Sequence, residues 1–159
     1  MKIWHLLSIL LLTGCAATQV PYSPEPMMSR EDSERIIEQV IMEQSAKHRP
    51  ESVLVTDDYL EFGEGYSEKS TGLASGTKLG SNAVIDVGSS RTKGKEINSR
   101  LYFNSLGAPE LFVKRDWYTI QVVDGKGRRL KRFYTRDEQK AEAFIDALTY
   151  FIVHANPIK

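Results

Sequence analysis

The residues of this chain that could do chemistry are few and scattered. Cys15 is the single cysteine among 159 residues, so it can neither close an internal disulfide nor join a multi-cysteine zinc site. The histidines are His5, His48 and His154, a spacing that forms no His-x-x-x-His pair and no His/Asp cluster. Asp57, Asp58, Glu61 and Glu64 supply hard oxygen donors of the kind calcium takes. Their spacing matches no calcium loop, however, and a turn between strands accounts for the aspartates. No serine stands in a Gly-x-Ser-x-Gly turn. The expectation is therefore a non-enzyme, with no catalytic residue, no metal and no cofactor.

Charge is the stronger signal. The chain has 21 basic and 21 acidic side chains, and a neutral total argues against a nucleic-acid partner held by bulk attraction. That balance hides two opposed halves. Arg30 to Glu68 carries 4 basic and 11 acidic residues, a net of −7, whereas Lys69 to Lys140 carries 15 basic and 7 acidic, a net of +8. Lys126, Arg128, Arg129, Lys131 and Arg132 fall within seven residues, on both faces of the last strand and at its hairpin tip. Such a run could meet an anionic lipid headgroup or an acidic envelope protein. Equally, it could guard an edge strand or neutralise the acidic half of the same molecule.

The N-terminus assigns a place. After Lys2, Ile3 to Leu12 is almost wholly apolar, and about ten such residues are too few to span a bilayer, which takes roughly 20. The stretch reads as a signal peptide. It ends in Leu12-Thr13-Gly14-Cys15, which resembles the lipobox of bacterial lipoproteins. That resemblance implies that the Cys15 thiol receives a diacylglyceryl group, that the bond before it is cut, and that the new amine is acylated. Residues 1–14 are then the signal and Cys15 the anchor, for two or three acyl chains hold a protein to a membrane where one is marginal. Ala16 follows the cysteine; in Gram-negative lipoproteins an aspartate there resembles an inner-membrane retention signal, so the resemblance implies the outer membrane, facing the periplasm, over the inner.

Behind the cysteine, Ala16 to Met28 contains Pro21, Pro24 and Pro26 and reads as a polyproline tether, residues 15–28, reaching up to about 40 Å. One domain, residues 29–159, follows. Ser29 is an N-cap candidate with acids behind it, and Ile36, Ile37, Val40 and Ile41 make one stripe, with Glu43 and Gln44 off it, on a helix that Arg49-Pro50 should stop. Val53–Thr56 and Tyr59–Gly63 read as a hairpin about Asp57-Asp58. Ser70 to Lys95 is Gly/Ser/Thr/Lys-rich and reads as loops around a short strand at Ala83–Val87. Its glycines 72, 76 and 80 lack the context of a nucleotide loop.

The last sixty residues are plainer. Arg100–Asn104, Glu110–Lys114, Trp117–Val123 and the stretch ending at Tyr134 read as antiparallel strands, the last two joined at Asp124-Gly125-Lys126-Gly127. Thr135 and Glu138 have capping-box spacing. Ala141, Phe144, Ile145, Leu148, Phe151 and Ile152 then form the apolar stripe of a helix that must bury against the sheet.

An Arg-Leu-Tyr-Phe strand at Arg100–Phe103, the strand Trp117–Val123, a glycine turn and a strand ending in Phe-Tyr before a C-terminal helix resemble the pleckstrin-homology-like fold over residues 50 to 154. The resemblance implies a half-open barrel plugged by the helix, a scaffold that binds headgroups, peptides or proteins. The fold class is therefore α+β, an antiparallel sheet or half-open barrel with an N-terminal helix and a packed C-terminal amphipathic helix. The function expected is that of a lipid-anchored periplasmic binding or adaptor lipoprotein. A carrier of an apolar ligand between sheet and helix, and an envelope hydrolase, are the alternatives.

Overall fold

A computed structural model describes residues 17–72 and 90–157; the signal segment, Cys15, the expected strand at Ala83–Val87 and glycines 76 and 80 lie outside these. The fold is α+β, with two antiparallel sheets that do not close into a barrel. In chain order the elements are β1 (Thr18–Val20), α1 (Arg30–Met42), β2 (Ser52–Val55), β3 (Tyr59–Gly72), β4 (Ser90–Tyr102), β5 (Glu110–Lys114), β6 (Trp117–Val123), β7 (Arg129–Thr135) and α2 (Glu138–His154). One sheet has the order β1-β5-β6-β7 and the other β2-β3-β4.

Helix α1 begins where its cap dictates: the Ser29 hydroxyl accepts the Asp32 amide at 3.1 Å, and Glu31 and Asp32 sit at the positive end of the dipole. It buries Ile37, Val40 and Ile41. It ends at Met42, seven residues before the Arg49 stop expected from Pro50. The reason is Gln44, which is buried instead of lying on a polar face. Its Nε2 donates to Val40 O at 2.8 Å and to Tyr134 O at 2.9 Å, while the Tyr134 amide donates to its Oε1 at 3.0 Å. The primary amide thus takes the place of a strand neighbour at the open edge of β7, and the chain must leave the helix to put it there.

Strands β3 and β4 extend well into the Gly/Ser/Thr/Lys-rich stretch, paired from Tyr59↔Tyr102 to Gly72↔Ser90. A break in register between Gly63 and Tyr66 includes Gly65 at φ +109°, a conformation that favours glycine. The two sheets meet through aromatic rings. Phe62 of β3 stacks on Phe133 of β7 with centroids 6.1 Å apart, and Phe133 meets Phe144 of α2 edge-on at 5.0 Å. Helix α2 buries Ala141, Phe144, Ile145, Leu148 and Phe151, packing on α1 as well as on β6 and β7. Its N-cap is Asp137, whose carboxylate accepts the Lys140 amide at 3.2 Å, and not Thr135, which is still in β7 and accepts the Asp137 amide at 3.1 Å.

The segment read as a tether is folded onto the domain. Thr18, Gln19 and Val20 pair with Val113, Phe112 and Leu111 as an edge strand. Tyr22 then donates its hydroxyl to both Asp146 oxygens, at 3.0 and 2.9 Å, and the Glu25 amide donates to Asp146 Oδ1 at 2.9 Å. Burial and the facing carboxylate push the Tyr22 hydroxyl well above its ordinary pKa, so it stays a donor. Prolines dominate the composition, but three of the first residues are non-proline and can supply the amides a sheet edge requires.

Replacing Gln44 by alanine strands the Tyr134 amide and carbonyl and should cost about 2–4 kcal/mol, read as a fall in unfolding free energy in urea. Gln44→Glu would set a carboxylate against two carbonyls, which raises its pKa in the folded state. Its deficit should be full at neutral pH and narrow as pH falls through that raised value, because a protonated carboxyl can donate; a pH-independent deficit would contradict this role.

Candidate functional site

The five basic residues of the β6–β7 hairpin do not form one patch. Asp124 organises the turn: Oδ1 accepts the amides of Lys126 and Arg128, both at 2.9 Å, and Oδ2 accepts Arg128 Nε at 2.7 Å. Gly127 supplies the positive φ of 75° that closes it. The register slips between Val122 and Val123, and Leu130 stands 45% exposed. Lys131, opposite Val122, points to the inner face, where its ammonium lies 3.6 Å from the centroid of the Phe62 ring and 3.5 Å from Glu64. Arg132, opposite Gln121, lies on the outer face. Arg128 and Lys131 are therefore held by the fold. Lys126, Arg129 and Arg132 are exposed and carry no ion pair among the described residues.

A second site was missed from the sequence. A cleft of about 560 Å³ opens on the outer face of the larger sheet, between the chain leaving α1 and the strands. Trp117, Thr119 and Tyr134 form its floor, Gln44 and His48 one wall, and Lys114 and Arg115 the other end. Thr119 and Tyr134 are cross-strand partners, as are Lys114 and Trp117, so strand pairing alone aligns the aromatic floor. The Arg136 guanidinium lies 4.7 Å from the centroid of the Trp117 ring, and His48 tilts against Tyr134 at 5.8 Å. Arg115 sits at φ 54°, the sole non-glycine residue with positive φ among those described. Flat rings flanked by cations suit a group with an anionic head and an apolar or planar body. Strand alternation puts Trp117 and Tyr134 on a common face, a signal the sequence carries; the wall from residues 43–48 depends on the early end of α1, which no local signal announces.

The carboxylates considered for calcium are engaged elsewhere. Asp57 pairs with Arg30 at 2.9 Å, Asp58 accepts Asn156 Nδ2 at 3.0 Å, Glu61 pairs with Arg100, and Glu64 accepts the Ser99 hydroxyl at 2.6 Å. His154 contacts Tyr150 O at 2.7 Å and stacks on the Tyr150 ring. The space between sheet and α2 is filled by Phe133, Phe144 and Leu148, so an apolar ligand could enter there only by displacing them. No family model, curated protein or solved structure matches the chain.

Three carboxylates are held below their ordinary range: Glu43 by hydrogen bonds from Lys140 and then Gln39, Glu64 by the Ser99 hydroxyl and then Lys131, and Asp124 by the Arg128 amide and then its guanidinium. Depressed pKa values mean that the unfolded chain takes up protons first. Their contribution is complete above the unfolded carboxylate range and is lost as pH falls through the folded values. Urea midpoints should hold from pH 7 to about pH 5.5 and fall steeply below about pH 4.5. Asp124→Asn should shallow that fall, and an unaltered slope in the variant would remove Asp124 from the account.

Proposed function

We propose that this chain is a lipid-anchored, non-catalytic binding or adaptor lipoprotein, held in the outer membrane by acyl chains on Cys15 and facing the periplasm. The observation that carries the anchor is Leu12-Thr13-Gly14-Cys15 at the end of a short apolar run. Binding is supported by Lys126, Arg129 and Arg132, three exposed cations left over after Arg128 and Lys131 are committed to Asp124, Glu64 and Phe62. Arginine favours bidentate contact with carboxylates or phosphates, so the partner is an envelope protein with an acidic face or an anionic lipid headgroup.

The test is made in cells fed a labelled fatty acid. Wild type should take up label and Cys15→Ser should not; labelled Cys15→Ser would remove the anchor. In the same cells, cross-linking should recover a partner with wild type and lose it with Lys126→Glu, Arg129→Glu and Arg132→Glu combined. These substitutions break no internal ion pair of the described residues, so the loss would report on contact and not on folding. Equal recovery from both would refute binding at this hairpin.

A further inference from the structure

The distance between anchor and fold is covalently limited. Thr18 already pairs with Val113, so two residues, Ala16 and Ala17, separate it from Cys15. Three Cα steps cannot exceed about 11 Å. The antiparallel register also gives a direction. From Val20 back to Thr18 the strand runs alongside Leu111 to Val113, so Thr18 is the residue of β1 nearest the β5–β6 turn at Arg115 and Asp116. At that end stand Lys114, Arg115 and Trp117, all exposed, with Arg136 over the Trp117 ring. Trp117 pairs with Lys114, one residue nearer the anchor than the Thr18 level, or about 3.3 Å along the strands. A headgroup layer is about 5–7 Å deep per leaflet.

We infer that the end of the sheet carrying Lys114, Arg115 and Trp117 rests in the phospholipid headgroup layer of the bilayer that the Cys15 acyl chains enter. This rests on the reading of Cys15 as acylated. Tryptophan is the side chain that most favours this layer, its ring apolar and its N–H needing a partner, and Lys114, Arg115 and Arg136 meet phosphate oxygens. Acids balance them: Asp116 lies at the turn, Asp137 caps α2, and Glu138 accepts the Tyr118 hydroxyl at 3.2 Å. The end is near neutral, which suits zwitterionic headgroups, and docking is driven by proximity and not by bulk charge. A short leash supplies that proximity, since it makes contact with the bilayer intramolecular and lets a weak surface suffice. It also turns the cleft beside Trp117 toward the headgroups.

The mature chain offers its own probe. Trp4 precedes Cys15 and leaves with the signal, so Trp117 is its single tryptophan. Acylated full-length mature protein is reconstituted into vesicles of phosphatidylethanolamine and phosphatidylglycerol, beside a version with a long Gly/Ser spacer inserted between Ala17 and Thr18, which leaves the fold untouched. Iodide quenching of Trp117 in wild type should be about half or less of that in the spacer variant. Headgroup-labelled nitroxide lipid should quench wild type more. Mass spectrometry reports acylation separately. An unacylated mature chain would overturn the anchor and this inference together. Acylated protein that floats with the vesicles, yet whose Trp117 is quenched equally with and without the spacer, would overturn the docking and leave the anchor standing.

Discussion

A three-stranded antiparallel sheet has two edges, and each must be covered or it becomes a template for pairing with another chain. Strands β5, β6 and β7 of this protein present that problem, and its solution organises the molecule. On the β5 side, Thr18–Val20 adds a strand of three residues, too short to offer much edge of its own. On the β7 side, Gln44 meets both the amide and the carbonyl of Tyr134, so one side chain does the work of a neighbouring strand. The first cover fixes where the N-terminus leaves the fold, and the second forces α1 to end early and builds a wall of the cleft over Trp117.

The N-terminal cover is locked behind the strand as well as along it. Asp146 projects from α2 and accepts from the Tyr22 hydroxyl and the Glu25 amide, and hydrogen bonds to a charged group contribute about 1.5–3 kcal/mol. Removing the strand would therefore also leave a buried carboxylate short of donors. Sheet edge and helix are coupled through one short stretch of chain, so this stretch behaves as part of the domain and not as a free arm.

Much of the fold was legible because local rules and tertiary packing agree. Strands β5 and β6 fall at the residues read for them, the stripe on α2 is buried except for the half-buried Ile152, and Ser29 caps α1. The errors share one cause: a local signal lost to a distant partner. Pro50 marks a plausible helix stop, but Tyr134, ninety residues on, claims Gln44 first. Thr135 has capping-box spacing, but β7 keeps it as the partner of Tyr118. The prolines at 21, 24 and 26 suggest an extended arm, but β5 needs an edge partner and Asp146 needs donors. The basic run, by contrast, reads as lying on both faces of its strand and at the hairpin tip, and alternation does send Lys131 inward and Arg132 outward.

Part of the opposition between the two halves of this chain is met inside the molecule. The acidic first half and the basic second half meet in the pairs Lys131–Glu64, Lys140–Glu43 and Arg100–Glu61. Each is partly exposed, and such pairs contribute at most about 1 kcal/mol, so they decide which surfaces face one another more than they decide stability. Their consequence is subtractive. Charges consumed in joining the halves are not available to a partner, and the cations left at the β6–β7 hairpin and at the β5–β6 turn lie at opposite ends of β6. One group sits beside the point where the chain leaves for Cys15 and the other as far from it as the strand allows. Under the proposed acylation of Cys15, a leash of two residues would present one end of the domain to the bilayer and the other to whatever approaches from solvent.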